Sequence, residues 1–291
     1  MNKFNGTGVA LVTPFRKDKS IDFAALEKLV EHIISNKCDY LVMMGTTSEN
    51  PTLQKDEKSA VINHIIEITN KRVPLVLGIG GNNTQAVVDA IKETDFTNID
   101  GILSVTPYYN KPSQEGLYQH FKEIARISPV PIILYNVPGR TSVNLSAETT
   151  LRLAKDFKNI VAIKEASGNF SQIMQIVKNK PSQFAVISGD DAITYPLITI
   201  GVAGVISVVA NALPFEFSEM VRLARDQKYD EALKLHYKLL DFIDTLFIEG
   251  NPAGIKSALA ELSICENNLR LPLVGVSSST QKKLSSLLKE I

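Results

Sequence analysis

Eight short apolar runs recur along the chain, each bounded by Gly, Pro or polar residues. They are rich in Val, Ile and Leu and do not alternate with polar residues, which favours strands buried on both faces, as in a parallel sheet. The runs are Gly8–Thr13, Tyr40–Met44, Pro74–Ile79, Gly101–Val105, Pro131–Tyr135, Ile160–Lys164, Phe184–Ile187 and Ala203–Ser207.

Amphipathic stretches separate these runs, with apolar residues three and four positions apart, as in the stretch from Phe23 to Ile34. Strands that alternate with helices predict an α/β fold, and eight such units predict a closed (β/α)₈ TIM barrel. An open doubly wound sheet is the alternative. From about residue 227 only helical patterns follow, so we predict a catalytic barrel at 1–226 and a C-terminal helical segment at 227–291.

Composition excludes several classes of partner. Lys+Arg and Asp+Glu number 31 each, and this balance does not indicate nucleic acid. No apolar run reaches the roughly 18 residues of a membrane helix, so no membrane partner is expected. Cys38 and Cys265 each lie in an apolar pattern that we interpret as helical, and two buried, reduced cysteines suit a cytoplasmic protein.

Polar residues follow the predicted strands, at the end of a barrel where active sites lie. None of them is histidine, because His32, His64, His120 and His236 all fall in predicted helices. No Cys/His cluster has the spacing of metal ligands, so the sequence predicts neither a metal nor another cofactor.

Lys164 is the most informative residue at these strand ends. It follows the apolar residues Val161-Ala162-Ile163, which place its amine at the mouth of the barrel. One interpretation is a lysine that extends its head group to water. The other is a nucleophile that forms a Schiff base, since an apolar mouth promotes the neutral amine.

Other side chains at the strand ends could assist such a nucleophile. Tyr135 ends the neighbouring strand and could transfer protons, or could simply fill the top of the barrel. Thr46 and Thr47 could bind a carboxylate through hydroxyls and backbone N–H groups, or could only cap a turn. Arg140 could bind a second carboxylate in bidentate fashion, or could be an exposed loop arginine.

The order of these motifs resembles the dihydrodipicolinate synthase family, of the N-acetylneuraminate lyase superfamily, nearly from end to end. The Thr-Thr-Gly-Glu form common in the family is Thr-Thr-Ser-Glu here, and we expect Ser48 to be tolerated. The matching segments are Gly45–Glu49, Val105–Asn110, Tyr135–Thr141, Ile163–Ala166, Ser188–Asp191 and Glu249–Pro252 with Lys256.

The resemblance implies condensation of pyruvate with aspartate-4-semialdehyde, on the route to diaminopimelate and lysine. Lys164 would carry the pyruvate iminium. Tyr135, Thr46 and Tyr109 would form a proton relay, and Thr47 would hold the pyruvate carboxylate together with the backbone N–H of Thr46.

The same likeness assigns the outer part of the site. Arg140 would bind the carboxylate of the aldehyde, while Gly189 and Ile206 would supply backbone contacts. Tyr109 would enter the site of a neighbouring subunit and Tyr108 would pack across the same tight-dimer interface, which implies a homotetramer built as a dimer of dimers.

Two alternatives remain open. A sialic acid lyase or 2-keto-3-deoxy sugar acid aldolase would share Lys164 and Tyr135, but does not usually carry the run that contains Arg140. A barrel that binds a keto acid without turnover is the second. Lysine-inhibited members of the family carry a histidine and a glutamate where this chain has Lys55 and Ala86, so we expect weak or absent feedback by lysine.

Overall fold

Residues 3–291 are described by a computed structural model, and within them eight parallel strands close into a barrel in the order β1 to β8. The predicted (β/α)₈ barrel is therefore confirmed, and the open sheet is excluded. The strands are β1 Gly6–Ala10, β2 Tyr40–Met43, β3 Leu75–Gly78, β4 Gly101–Val105, β5 Ile132–Asn136, β6 Ile160–Glu165, β7 Ala185–Ser188 and β8 Gly204–Ser207.

Helices alternate with the strands and then continue alone to the end of the chain. The first nine α-helices are α1 Phe23–Ser35, α2 Lys55–Thr69, α3 Thr84–Glu93, α4 Gln114–Ile127, α5 Pro138–Thr141, α6 Ala147–Asp156, α7 Phe170–Asn179, α8 Thr194–Thr199 and α9 Pro214–Arg225. The last three are α10 Tyr229–Phe247, α11 Ala253–Glu261 and α12 Ser278–Leu288. The predicted boundary at residue 226 falls between α9 and α10, and the division into two domains stays a prediction.

Seven strands lie within one residue of their predicted ends, but β1 begins two residues earlier than the predicted Gly8 and ends three residues before Thr13. The register explains the difference, since Gly6 pairs with Gly204 and its N–H donates to the carbonyl of Ala203 at 3.1 Å. After Ala10 the chain leaves the ladder, and the hydroxyl of Thr13 donates to the carbonyl of Ser48 at 2.7 Å.

Alternate residues of the strands fill the inside of the barrel. Val42, Ile133 and Ala162 belong to one buried interior cluster, whereas Leu134 and Ile163 pack outward under the helices. Because side chains alternate along a strand, the residue two positions after Ala162 also points inward. That residue is Lys164, at the carboxyl end of β6.

The last helices share a hydrophobic cluster with the barrel wall, where Phe242 of α10 and Leu284 of α12 join Leu29 of α1. The prediction that both cysteines lie in helices is wrong, because Cys38 lies between α1 and β2 and Cys265 follows α11. An apolar sequence pattern predicts burial, and both thiols are buried and free. No helix among residues 3–291 is long and apolar enough to cross a membrane.

Candidate active site

Lys164 and Tyr135 form the centre of the candidate site. They are direct neighbours in the register of β5 and β6. Only 6% of Lys164 is exposed, so nearly all of its side chain is buried in the barrel. The ammonium lies 4.4 Å from the centre of the Tyr135 ring, within the range of a cation–π contact.

Gly189, directly after β7, leaves the space that the side chain of Lys164 occupies. A Cβ atom at residue 189 would lie 3.0 Å from Cε of Lys164 and 2.6 Å from Cβ of Ala166. Only glycine therefore permits this course of the lysine side chain. Ile206 of β8 is 1% exposed and belongs to the same interior cluster as Tyr135.

A short 3₁₀ turn at Thr46–Ser48 follows β2 and starts after Gly45, with no side-chain cap. Thr47 is buried, and its hydroxyl accepts a hydrogen bond from Nδ2 of Asn251 at 3.0 Å. Its hydrogen is therefore free to be donated elsewhere, which is what carboxylate binding requires. The alternative that the two threonines only cap this turn is not supported by the contacts.

A cavity of about 390 Å³ opens beside these residues. Its walls include Thr46, Tyr135, Arg140 and Asn251, and the remaining wall is mostly apolar. Arg140 lies on the short helix α5 and is exposed, and no carboxylate of residues 3–291 lies within 4.0 Å of its guanidinium. Thr46, Tyr135 and Arg140 thus line one cavity, and the amine of Lys164, which is not part of its wall, lies behind it against the Tyr135 ring.

Tyr109 is not brought to this site within the chain. It is 88% exposed, lies in the left-handed region at a φ of 72°, and follows Tyr108, which is 43% exposed and lines the cavity. Tyr135 and Thr46 both line the cavity, but no hydrogen bond joins their hydroxyls in the described part of the chain. The three-residue relay therefore stays a prediction.

Two buried carboxylates near the site had no role assigned by the sequence. Asp191 accepts the N–H groups of Val208 and Val209 at 2.9 and 3.0 Å, and burial raises the pKa of its carboxyl to about 6. It thereby holds the chain just after β8. Glu165, next to Lys164, accepts hydrogen bonds from Nδ2 of Asn136, the residue paired with it across β5 and β6.

The C-terminal helices supply further residues that sequence reasoning did not place in the site. Besides Asn251, Lys256 of α11 is fully buried and forms an ion pair with Glu49. The available signal was a single lysine inside the otherwise small and apolar segment Ala253–Ala260. Across residues 3–291, no three His, Cys, Asp or Glu side chains are grouped so that they could hold a metal ion.

A profile of the Dihydrodipicolinate synthetase family matches residues 3–291. The chain belongs to this family. It is 54% identical to the 4-hydroxy-tetrahydrodipicolinate synthase of Parabacteroides distasonis, over 98% of this chain and 96% of that one.

Solved structures of dihydrodipicolinate synthases have the same fold. The enzyme from Thermotoga maritima is 40% identical with a TM-score of 0.97, over 99% of both chains. A monomeric dihydrodipicolinate synthase variant is 40% identical with a TM-score of 0.96, over 99% of this chain and 97% of that one. The predictions of this family and of an aldolase-type synthase are confirmed, and the sugar-acid aldolase alternative is not favoured.

Proposed function

We propose that the chain condenses pyruvate with aspartate-4-semialdehyde to give 4-hydroxy-tetrahydrodipicolinate through a Schiff base on Lys164. The observation that carries the proposal is the buried amine of Lys164, paired in register with Tyr135 at the mouth of an apolar barrel. Lys164 would attack the keto carbon of pyruvate, and loss of water would leave an iminium. This chemistry belongs to lysine and diaminopimelate biosynthesis.

The turn after β2 would hold the carboxylate of pyruvate. The Thr47 hydroxyl accepts a hydrogen bond from Asn251 and can donate its own hydrogen to a carboxylate oxygen. The backbone N–H of Thr46 would donate to the second oxygen. A fixed carboxylate would hold the keto carbon close to the amine of Lys164, and such positioning can lower the activation barrier by several kcal/mol.

Tyr135 and Thr46 would transfer protons, assisted by Tyr109 of a neighbouring subunit. The iminium loses a proton from its methyl carbon to become an enamine, whose carbon attacks the aldehyde, and the resulting alkoxide takes up a proton. The amino group of the semialdehyde then attacks the iminium carbon, which closes the ring and releases Lys164. Hydroxyls are the candidates for these proton transfers, because no histidine, the usual acid–base residue, lies at the strand ends.

Arg140 would determine the choice of aldehyde. Its guanidinium is exposed at the cavity wall and has no carboxylate partner in residues 3–291, so it can bind the carboxylate of aspartate-4-semialdehyde in bidentate fashion. Gly189 and Ile206 would add backbone contacts deeper in the barrel.

The functional assembly would be a homotetramer in the cytoplasm. The exposure of Tyr108 and Tyr109 supports an interface at that loop, since 88% of the Tyr109 side chain is open to solvent in the single chain. Buried free thiols support a reducing compartment. Sedimentation analysis tests the assembly, and a monomer at assay concentration would exclude Tyr109 from the relay.

Reductive trapping tests the chemistry. The protein is incubated with pyruvate, reduced with borohydride and weighed by mass spectrometry, with Lys164→Ala as the matched control. We expect one reduced pyruvate adduct per chain, on Lys164, and none in the variant. An unlabelled Lys164 at saturating pyruvate would refute the proposal. Turnover with aspartate-4-semialdehyde and not with N-acetylmannosamine distinguishes a synthase from a sugar-acid aldolase and from a barrel that only binds.

A further inference from the structure

A buried ion pair connects the C-terminal helices to the loop after β2. The side chains of Lys256 and Glu49 are both fully buried, although 207 positions separate them in sequence. Lys256 Nζ donates to Oε1 of Glu49 and, at 2.8 Å, to the carbonyl of Asn268. The same ammonium lies 4.1 Å from the centre of the Phe15 ring.

Stability alone does not explain this pair. Removing two charges from water is unfavourable, and proteins with well-packed apolar residues in place of a buried pair are often as stable or more stable. Burial lowers the pKa of the Lys256 ammonium, while the charge of Glu49 opposes that shift. A buried ion pair that contributes little to stability is better explained by its effect on the geometry of the loop after β2.

Glu49 occupies the position where the pair can control the candidate site. It directly follows the 3₁₀ turn that contains Thr46 and Thr47, and its N–H donates to the carbonyl of Thr46 at 3.2 Å. Its φ of 55° lies in the left-handed region, which is strained for a residue with a side chain. Its carboxylate is held from both sides, since Oε2 accepts the N–H of Arg270 at 3.0 Å.

The contact between Asn251 and Thr47 comes from the same part of the chain. Asn251 directly precedes the Pro252 cap of α11, and Lys256 lies on that helix. One segment therefore holds the turn at two points, one on the Thr47 hydroxyl and one at Glu49, which ends the turn.

We infer that Glu49 and Lys256 are positioning residues, whose buried ion pair holds the Thr46–Thr47 turn in the geometry that binds the carboxylate of the keto acid. This inference rests on the proposed function and deepens it. It makes the C-terminal helices part of the catalytic unit. A pair that only stabilised the fold would affect the melting temperature and leave the affinity for pyruvate unchanged.

Four variants separate the two roles: Lys256→Met, Glu49→Gln, the double variant, and Glu57→Gln as the matched control. Glu57 accepts hydrogen bonds from the Arg270 guanidinium at 2.7 and 2.5 Å, so Glu57→Gln weakens a neighbouring ion pair but leaves in place the backbone N–H of Arg270 that donates to Glu49. For each protein we would measure the unfolding midpoint, the KM of both substrates, kcat, and the pyruvate concentration that half-saturates borohydride trapping.

Both single variants should raise the KM of pyruvate and the half-saturating concentration by about tenfold or more, with a smaller change in kcat and in the KM of the aldehyde. The double variant should regain melting temperature, because no unpaired charge remains buried, but should not regain affinity for pyruvate. Glu57→Gln should leave the pyruvate KM within about twofold.

Recovery of both stability and affinity in the double variant would overturn the inference, as would pyruvate constants in Glu49→Gln and the double variant that stay within twofold of wild type. If either single variant fails to fold, the affinity of the double variant for pyruvate can still be compared with that of the wild type. If the wild-type protein itself traps no pyruvate, the proposed function fails and the inference with it. If the wild type traps and the variants trap equally well, only the positioning role fails.

Discussion

A methyl group added at residue 189 should displace the lysine on which the proposed chemistry depends. In Gly189→Ala the new Cβ would lie 2.6 Å from Cβ of Ala166 and 3.0 Å from Cε of Lys164. Carbon atoms pack at roughly 3.5–4.0 Å, so the lysine side chain must move by about 0.5–1 Å. The Cβ of Ala166 is fixed to the backbone, so that contact can be relieved only by a small shift of the strand ends, whereas the contact with Cε is relieved by movement of the flexible lysine.

The cost of this displacement can be estimated in two ways. Overpacking of a tight interior costs typically about 1–3 kcal/mol of stability. A reacting group misplaced by about 1 Å can lose on the order of 10² in rate. We therefore expect the rate of borohydride trapping with pyruvate, and kcat/KM, to fall by about 10–100-fold, while the protein remains folded.

Gly139→Ala is the matched control, because a Cβ at residue 139 in helix α5 meets no atom within 4 Å. The same substitution there should leave trapping unchanged and raise the free energy of unfolding slightly, by about 0.4–1 kcal/mol, because it reduces the conformational entropy of the unfolded chain. Trapping rates in Gly189→Ala within twofold of wild type, in a protein with a normal melting temperature, would refute the claim that residue 189 must be glycine for Lys164 to reach the keto acid.

Four further predictions follow from the same contacts. Tyr135→Phe should lower kcat by about 10²–10³-fold if the hydroxyl transfers protons, and activity within a few-fold of wild type would remove Tyr135 from the relay. Arg140→Ala should raise the KM of aspartate-4-semialdehyde far more than that of pyruvate, and equal changes would contradict its role. Lysine should inhibit weakly or not at all, because Lys55 already pairs with Glu93 at 2.9 Å and position 86 carries no anion, and a sub-millimolar inhibition constant would disprove this. Burial lowers the pKa of His120 from 6.5 to about 4, so the unfolded chain binds the proton more readily and the free energy of unfolding should fall between pH 6.5 and 4, by up to about 3 kcal/mol. In His120→Gln the free energy of unfolding, measured by chemical denaturation, should fall less between pH 6.5 and 4. Identical pH profiles for the variant and the wild type would contradict the role of His120.

The order and type of the elements could be predicted, because a strand that is buried on both faces is a continuous apolar run in the sequence. Seven of the eight strands end within one residue of the apolar runs. Lys164 could be found for the same reason, since a lysine that terminates such a run must lie at a barrel end. The neighbouring position of Tyr135 followed from strand order and is confirmed by the register.

Contacts between distant parts of the chain could not be predicted in this way. Glu49 and Lys256 are each ordinary residues locally, and only the packing of α11 against the loop after β2 buries them together. The space that Gly189 leaves for Lys164 depends likewise on how β6 and β7 lie side by side. Hydrophobic periodicity reports which face of an element is covered, but not which residue covers it. The sequence by itself thus determined the barrel and its reactive lysine, whereas the tertiary structure decided what holds the carboxylate-binding turn, because that depends on atoms brought within a few ångströms by the closed fold.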